Sequence, residues 1–231
     1  MLRSKELRER AWNSLKGKYW IAFAVSLVAG FLATIGDSMV TTAQELIDIV
    51  SKVDPSEMDA VMKIGALAIT GAALVISIVG LIVSIFVGGA ATVGLGNFFI
   101  RNTDSAPTFG DAFRGFKVRY GRNTGVLLWA AVKATLWTFL FIIPGIIKIY
   151  EYAIIPYILA DDDTISSKEA FKKAKEMMRG NKWRLFKLNF SFIGWALLSA
   201  LTLGIGALFL APYIEAANAE FYAELKNKEN I

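Results

Sequence analysis

The chain contains no cysteine and no histidine. The first absence excludes disulfides, zinc–thiolate sites and thiol catalysis. The second removes the commonest general base near neutral pH and the commonest metal ligand, so no Ser-His-Asp triad can form. An enzyme built on this sequence would rely on carboxylates, lysines or tyrosines alone; the reading leans against catalysis and expects no cofactor. Charge is missing too, over long stretches. From Ile64 to Ile100 there is no charged residue, and from Leu188 to Phe221 only Glu215 and Glu220. Of the 231 residues 55% are hydrophobic and 19% charged, against about 45–50% and about 25% in a soluble domain. One helical crossing of a bilayer needs roughly 20 apolar residues, and a soluble core has no use for such runs. The expected fold class is all-α, a polytopic transmembrane helical bundle.

Charge sets the expected topology, because loops rich in Lys and Arg stay in the cytoplasm. Residues 1–18 carry Arg3, Lys5, Arg8, Arg10, Lys16 and Lys18 against two acids. Residues 37–63 reverse the balance with Asp37, Glu45, Asp48, Asp54, Glu57 and Asp59, and read as an acidic exterior loop. Residues 101–123 and 166–187 are basic again. The apolar run from Tyr19 to Ile35 follows a long polar segment and no A-x-A pattern closes it, so it reads as an uncleaved first crossing rather than a signal peptide. The run 64–100 would make about 55 Å of helix. It is expected to break at Gly88-Gly89, leaving 90–100 as a shallow interfacial piece. Pro144-Gly145 should turn a hairpin, since proline ends a helix and glycine tolerates the turn. By charge alone, Leu188–Phe221 crosses either once or twice, with Gly204-Ile205-Gly206 as the turn in the second case.

The chain also resembles itself. Ser4-Lys5-Glu6 matches Ser167-Lys168-Glu169, and at the same offset Ala11, Gly17 and Trp20 match Ala174, Gly180 and Trp183. Asp111-Ala112-Phe113-Arg114 is a weaker copy, and Pro156-Tyr157-Ile158 recurs as Pro212-Tyr213-Ile214. Three repeat-like units follow, 1–100, 101–161 and 162–231, within one membrane domain. Each reads as a cytoplasmic amphipathic helix, a glycine corner and a helical hairpin, giving six crossings with both termini inside. The best-defined surface helix spans 166–179. Ser166-x-x-Glu169 is a capping box. Ala170, Phe171, Ala174, Met177 and Met178 share one face, Lys168, Lys172, Lys173, Lys175 and Arg179 take the other, and Gly180 suits a C-terminal cap. Beside Trp183, this helix is expected to lie on the headgroups of an anionic leaflet, with a membrane-protein partner or a second copy as the alternative. No aromatic interleaving points to nucleic acid.

The run Ile143-Pro144-Gly145-Ile146-Ile147-Lys148, then Pro156-Tyr157-Ile158-Leu159-Ala160-Asp161, is distinctive. It continues through Gly180-Asn181-Lys182-Trp183-Arg184-Leu185-Phe186, Thr202-Leu203-Gly204-Ile205-Gly206 and Pro212-Tyr213-Ile214-Glu215-Ala216. Together with Ala11-Trp12, Leu15-Lys16-Gly17 and Trp20, these resemble the bacterial integral membrane family catalogued as domain of unknown function 975. The resemblance implies a bacterial plasma-membrane protein and supplies no catalytic residues.

Ionisable groups inside the apolar layer are costly and so become functional candidates. Lys133 and Glu215 each fall about 15 Å from an expected exterior turn at 1.5 Å per residue. They are the candidate intramembrane ion pair, with a structural role or a role in a polar cavity. Lys148 and Glu151 are candidate interfacial charges that snorkel to the exterior. Asp161-Asp162-Asp163 reads as a solvated loop feeding the next helix rather than a metal cluster. Gly65, Gly71, Gly80, Gly88 and Gly89 offer small faces for close helix packing. The leading functional reading is a non-catalytic envelope scaffold or accessory factor. A small transporter or channel, and then an intramembrane lipid-modifying enzyme, are the alternatives.

Overall fold

A computed structural model describes residues 2–54, 56 and 58–229. Glu57, one of the acids of the 37–63 segment, lies outside the described residues, as do the outermost residues of the first and third units. Among the described residues every regular element is helical. The N-terminal part comprises α1 (Ser4–Leu15), α2 (Tyr19–Ser51), α3 (Ala60–Val83), a π-helical turn (Ser84–Gly88) and α4 (Gly89–Asp104). A 3-10 turn (Phe109–Phe113), α5 (Arg114–Lys117), α6 (Tyr120–Leu140), α7 (Ile142–Tyr152) and α8 (Ile155–Asp161) follow. The chain ends with α9 (Ser167–Met177), α10 (Lys182–Phe190), α11 (Ile193–Leu201) and α12 (Ile205–Glu229). Three stretches are long and apolar enough to cross a bilayer: Tyr19–Ser51, Ala60–Asp104 and Ile142–Asp161.

Three antiparallel helix pairs rise from one packed base. In the first, α2 meets α3 so closely that a Cβ on Gly36 would strike the backbone of Gly80 and Ser84. Asp37 accepts the Ser84 hydroxyl at 2.8 Å beside that crossing. In the second, the chain reverses at Phe141, and Pro144 falls in the first turn of α7, where a helix has no use for its amide hydrogen. Gly145 then packs on Thr138. In the third, Leu203 and Gly204 take left-handed backbone angles (φ 52° and 85°) and Gly206 packs on Ser199. The stretch Leu188–Phe221 is thus a hairpin in this structure. The hairpin tips stand clear of the rest of the protein, with Leu203 95%, Phe139 84% and Val61 76% exposed.

The base gathers the opposite ends of these helices. Its buried core combines Leu7, Ala11 and Leu15 of α1 with Phe98 and Phe99 of α4, Ile158 and Leu159 of α8, and Phe221 and Tyr222 of α12. Gly17 and Gly180, both at φ 76°, turn the chain out of α1 and away from α9. A glycine adopts that conformation without the clash a Cβ brings. At the third such corner, before α6, Arg119 takes φ 45° instead.

Two expectations about the first hairpin fail. Residues 37–63 are not a loop, because α2 continues to Ser51 and α3 begins at Ala60. Asp37, Glu45 and Asp48 lie exposed along α2, and charge alone does not end a helix. Nor does Gly88-Gly89 break the chain: the helix passes through the π turn and continues as α4. Far from being a shallow interfacial piece, α4 is the most enclosed long helix, with Ala90, Val93, Phe98 and Phe99 buried. Its glycines explain why. A Cβ on Gly94 would meet the Ala112 carbonyl, and one on Gly115 the Ala90 carbonyl, so the 3-10 turn and α5 press directly onto the α4 backbone. Of the glycines expected to form small faces, Gly80 does so, whereas Gly65 and Gly71 face open space.

Gly36→Val should therefore lower stability by about 1–3 kcal/mol, the usual range for overpacking. Gly30→Ala, at a helical glycine with open space around it, should leave stability equal or slightly higher. Thermal unfolding of the detergent-solubilised variants, followed by circular dichroism, reads both.

Candidate functional site

Polar groups concentrate where short helices end. A helix leaves its last carbonyls without partners, and in the base four asparagine amides donate to such carbonyls. Asn102 donates to Ser14 at the end of α1 (3.0 Å), Asn123 to Val118 after α5 (2.9 Å), Asn97 to Ala160 at the end of α8 (2.9 Å) and Asn181 to Met177 at the end of α9 (2.8 Å). All four asparagines are buried.

The candidate site lies just above this layer. A cavity of about 160 Å³ opens between α4, α8, α10 and α12, with Glu215, Asn218, Asn189, Tyr157 and Thr92 among its walls. The Tyr157 hydroxyl donates to Glu215 Oε2 at 2.9 Å. The side-chain carbonyl oxygens of Asn189 and Asn218 are buried without a hydrogen-bond partner. One helix interruption borders the cavity, Ala153-Ile154 between α7 and α8. Sequence reasoning found Glu215 from its charge. It missed Tyr157, Asn189 and Asn218, which carry no formal charge, although asparagines inside apolar runs were a visible signal.

The expected ion pair between Lys133 and Glu215 does not form. Lys133 Nζ lies 4.1 Å from the Phe171 ring centroid of α9 and 5.5 Å from that of Trp129. Helical side chains lean toward the N-terminus, so the long Lys133 stem is carried back toward the base, where α9 lies. Counting residues from the turn locates the Cα but not the ammonium. Lys148 and Glu151 do not snorkel to the exterior either. Glu151 is buried, accepts from Lys148 at 2.7 Å and is bridged by Lys182 at the start of α10. This three-residue tie belongs to the base.

The apolar face of α9 is covered by the protein itself. Ala170, Ala174, Met177 and Met178 are buried in the core, and Phe171 packs on Tyr152 at 5.4 Å between centroids. What faces outward is the lysine side of α9 and, beyond it, a ladder of Trp183, Phe186 and Phe190 with centroids 4.7 and 5.9 Å apart. The three consecutive aspartates diverge. Asp161 accepts from Lys226 and Tyr222, Asp162 caps Thr164 and Ile165, and Asp163 pairs with Arg114. Hydrogen bonds from the Thr164 side chain and backbone, with smaller effects around them, hold the Asp162 carboxyl below the usual carboxylate range.

Residues 124–229, which contain the second and third hairpins and most of the cavity walls, match the family model described as protein of unknown function (DUF975). The N-terminal residues that carried part of the resemblance, Ala11-Trp12 through Trp20, lie outside the matched range. No curated protein and no solved structure matches the chain.

The matched segment is tied to the N-terminus through Glu224. Burial alone would raise this carboxyl, but Lys228, Arg184 and the Leu2 amide outweigh it and hold it below the usual range. Arg184 lies at 2.6 Å and Lys228 at 2.9 Å. A depressed folded-state value gives stability that is present above the unfolded value of about 4.3 and disappears as pH falls through the folded one. Wild-type protein should therefore lose melting temperature below about pH 4.3 more steeply than Glu224→Gln. Melting curves from pH 6 to pH 3 test this, and identical slopes would show that Glu224 has no part in the acid sensitivity.

Proposed function

We propose that this protein is a six-crossing bacterial plasma-membrane scaffold, with both termini and its packed base on the cytoplasmic side. The observation that carries the reading is that all the basic connectors are joined to one another. Lys18 donates to the Ser105 carbonyl (2.8 Å), Arg122 to the Ile165 carbonyl (2.6 Å), Arg184 to the Leu2 carbonyl (3.0 Å) and Lys226 to Asp161 (2.7 Å). Residues 1–18, 101–123, 166–187 and the C-terminal tail thus gather at one end of the bundle, as the retention of lysine and arginine on the cytoplasmic side requires. Three apolar hairpins leaving that end give an even number of crossings. The second and third hairpins end in exposed apolar residues, Phe139 and Leu203, and the first ends in a connection that carries Lys52, Asp54 and Asp59.

The polar residues of the base support a non-catalytic role. Glu151, Asp161, Asp163 and Glu224 are each held by lysine or arginine in contacts that join segments distant in sequence. The lysine face of α9 and the Trp183 ladder are suited to anionic headgroups, which attract basic segments by about 1 kcal/mol per residue near the surface. A small transporter is the second reading, favoured by one observation. A helix interruption beside a polar cavity, here Ala153-Ile154 beside Glu215, is how many transporters form their sites.

The native chain has no cysteine, so single cysteines report without background. Ser105→Cys and Ser166→Cys should react with a membrane-impermeant maleimide only after cells are permeabilised, and Ser51→Cys and Thr202→Cys in intact cells. Labelling of Ser105→Cys and Ser166→Cys from opposite sides sinks the topology. In sealed vesicles the scaffold reading expects no solute uptake that depends on Glu215. Uptake abolished by Glu215→Gln would replace it with the transporter.

A further inference from the structure

We propose that a trough between the first and third hairpins holds one acyl chain of an anionic phospholipid, whose phosphate Arg8 binds. This rests on the hairpins lying in lipid, and not on which side of the membrane the base faces. The trough encloses about 570 Å³, inside the range of about 300–1,000 Å³ usual for small-molecule sites. Trp12 and Tyr19 stand on one side of it and Trp195 and Leu198 on the other, with α12 running between them from Tyr213 to Gly206. Hydroxyls along it are already committed. Tyr19 donates to the Phe209 carbonyl, Ser199 to that of Trp195 and Thr202 to that of Ser199. The walls thus offer an occupant little but carbon. Trp195, Leu198 and Phe209 are about half exposed, so the trough opens sideways, where lipid chains lie.

The end nearest the base carries the charge. Arg8 lies one helical turn before Trp12 on the same face of α1, and its guanidinium sits over the Phe192 ring at 5.9 Å. Phe192 in turn meets Tyr213 edge-on at 5.1 Å. Among the described residues Arg8 has no carboxylate within ion-pair reach, and its one hydrogen bond goes to the Ser191 carbonyl at 3.2 Å. A guanidinium has five N–H donors, and their planar fork matches a phosphate. The adjacent acid, Glu9, pairs with Lys5 at 3.9 Å. Trp12, Tyr19 and Trp20 are of the ring types that settle at the headgroup level. A chain entering from the base-side leaflet therefore meets a cation first and apolar walls beyond it. A protein partner would need about 20–30 residues on this side, whereas the trough follows only about two turns of α12.

Photolabelling of the full chain in phosphatidylcholine vesicles tests the site, with a trace of phosphatidylglycerol or phosphatidylcholine carrying a diazirine on one acyl chain. Mass spectrometry of the peptides should find adducts concentrated in residues 195–213, with about a fivefold preference there for the anionic probe. Arg8→Gln should remove that preference. Leu198→Trp, which narrows the trough, should lower the adducts of both probes severalfold, and Leu140→Trp, also exposed but on the second hairpin, should change neither. Soluble glycerol phosphate, which has the anion without the chain, should not compete. Should Arg8→Gln fail to fold by gel filtration, Leu198→Trp and the probe preference of the wild type decide the outcome. The proposal is overturned if adducts spread evenly over the three hairpins, if both probes label residues 195–213 alike, if the folded variants label as wild type does, or if glycerol phosphate competes. It is overturned too if Leu198→Cys crosslinks two chains while neither probe labels the trough, which would assign it to a second copy. The side on which the base lies is read separately by the maleimide labelling, so the two readings fail independently.

Discussion

Short helices in an apolar protein face one constraint before any other: each ends in carbonyls that need donors where water is scarce. Here the donors are buried asparagine amides, one at the end of each of four short helices. Asparagine suits the task because its amide supplies donors without a charge to be solvated. Were these bonds absent, α1, α5, α8 and α9 would end in unsatisfied groups. The base, and every corner that aims a hairpin, would lose its definition. The Glu215 cavity sits against this layer, so its walls are placed by the same bonds.

Ionic contacts do a second job, joining elements distant in sequence. Lys182 reaches Glu151 across 31 positions, and Arg114 reaches Asp163 across 49. Most are partly shielded from solvent, where a pair constrains geometry more than it stabilises. The basic residues that read as a topological signal are therefore also the fasteners of the base. One set of side chains can serve both purposes because the basic connectors meet at one end of the bundle.

Much of the outline was legible in the residues. Gly204 marked a real reversal, Pro144-Gly145 announced one that falls three residues earlier at Phe141, Ser166 and Glu169 do form a reciprocal cap, and the matched Gly17 and Gly180 adopt the same left-handed angle. Each of these is decided within a few residues, by backbone sterics or local hydrogen bonds. What failed was decided by neighbours remote in sequence. Lys133 turned to Phe171 because α9 happens to lie there, and Met177 and Met178 turned inward because the core offered them a place. An amphipathic stripe says that a face will be covered, and leaves open by what. The glycines of α4 invited a break by their composition, yet they admit the Ala112 carbonyl and keep the helix whole.

The rings of Tyr157 and Tyr222 stack with centroids 5.9 Å apart. Tyr157 holds Glu215 through its hydroxyl, while the Tyr222 hydroxyl donates to Asp161 at 3.0 Å, and Asp161 in turn holds Lys226. A relay of rigid aromatic plates therefore runs from the enclosed carboxylate to the charged tail. Glu215 and Lys226, on the same helix, are thereby joined a second time, through two rings and two carboxylates that lie outside its backbone.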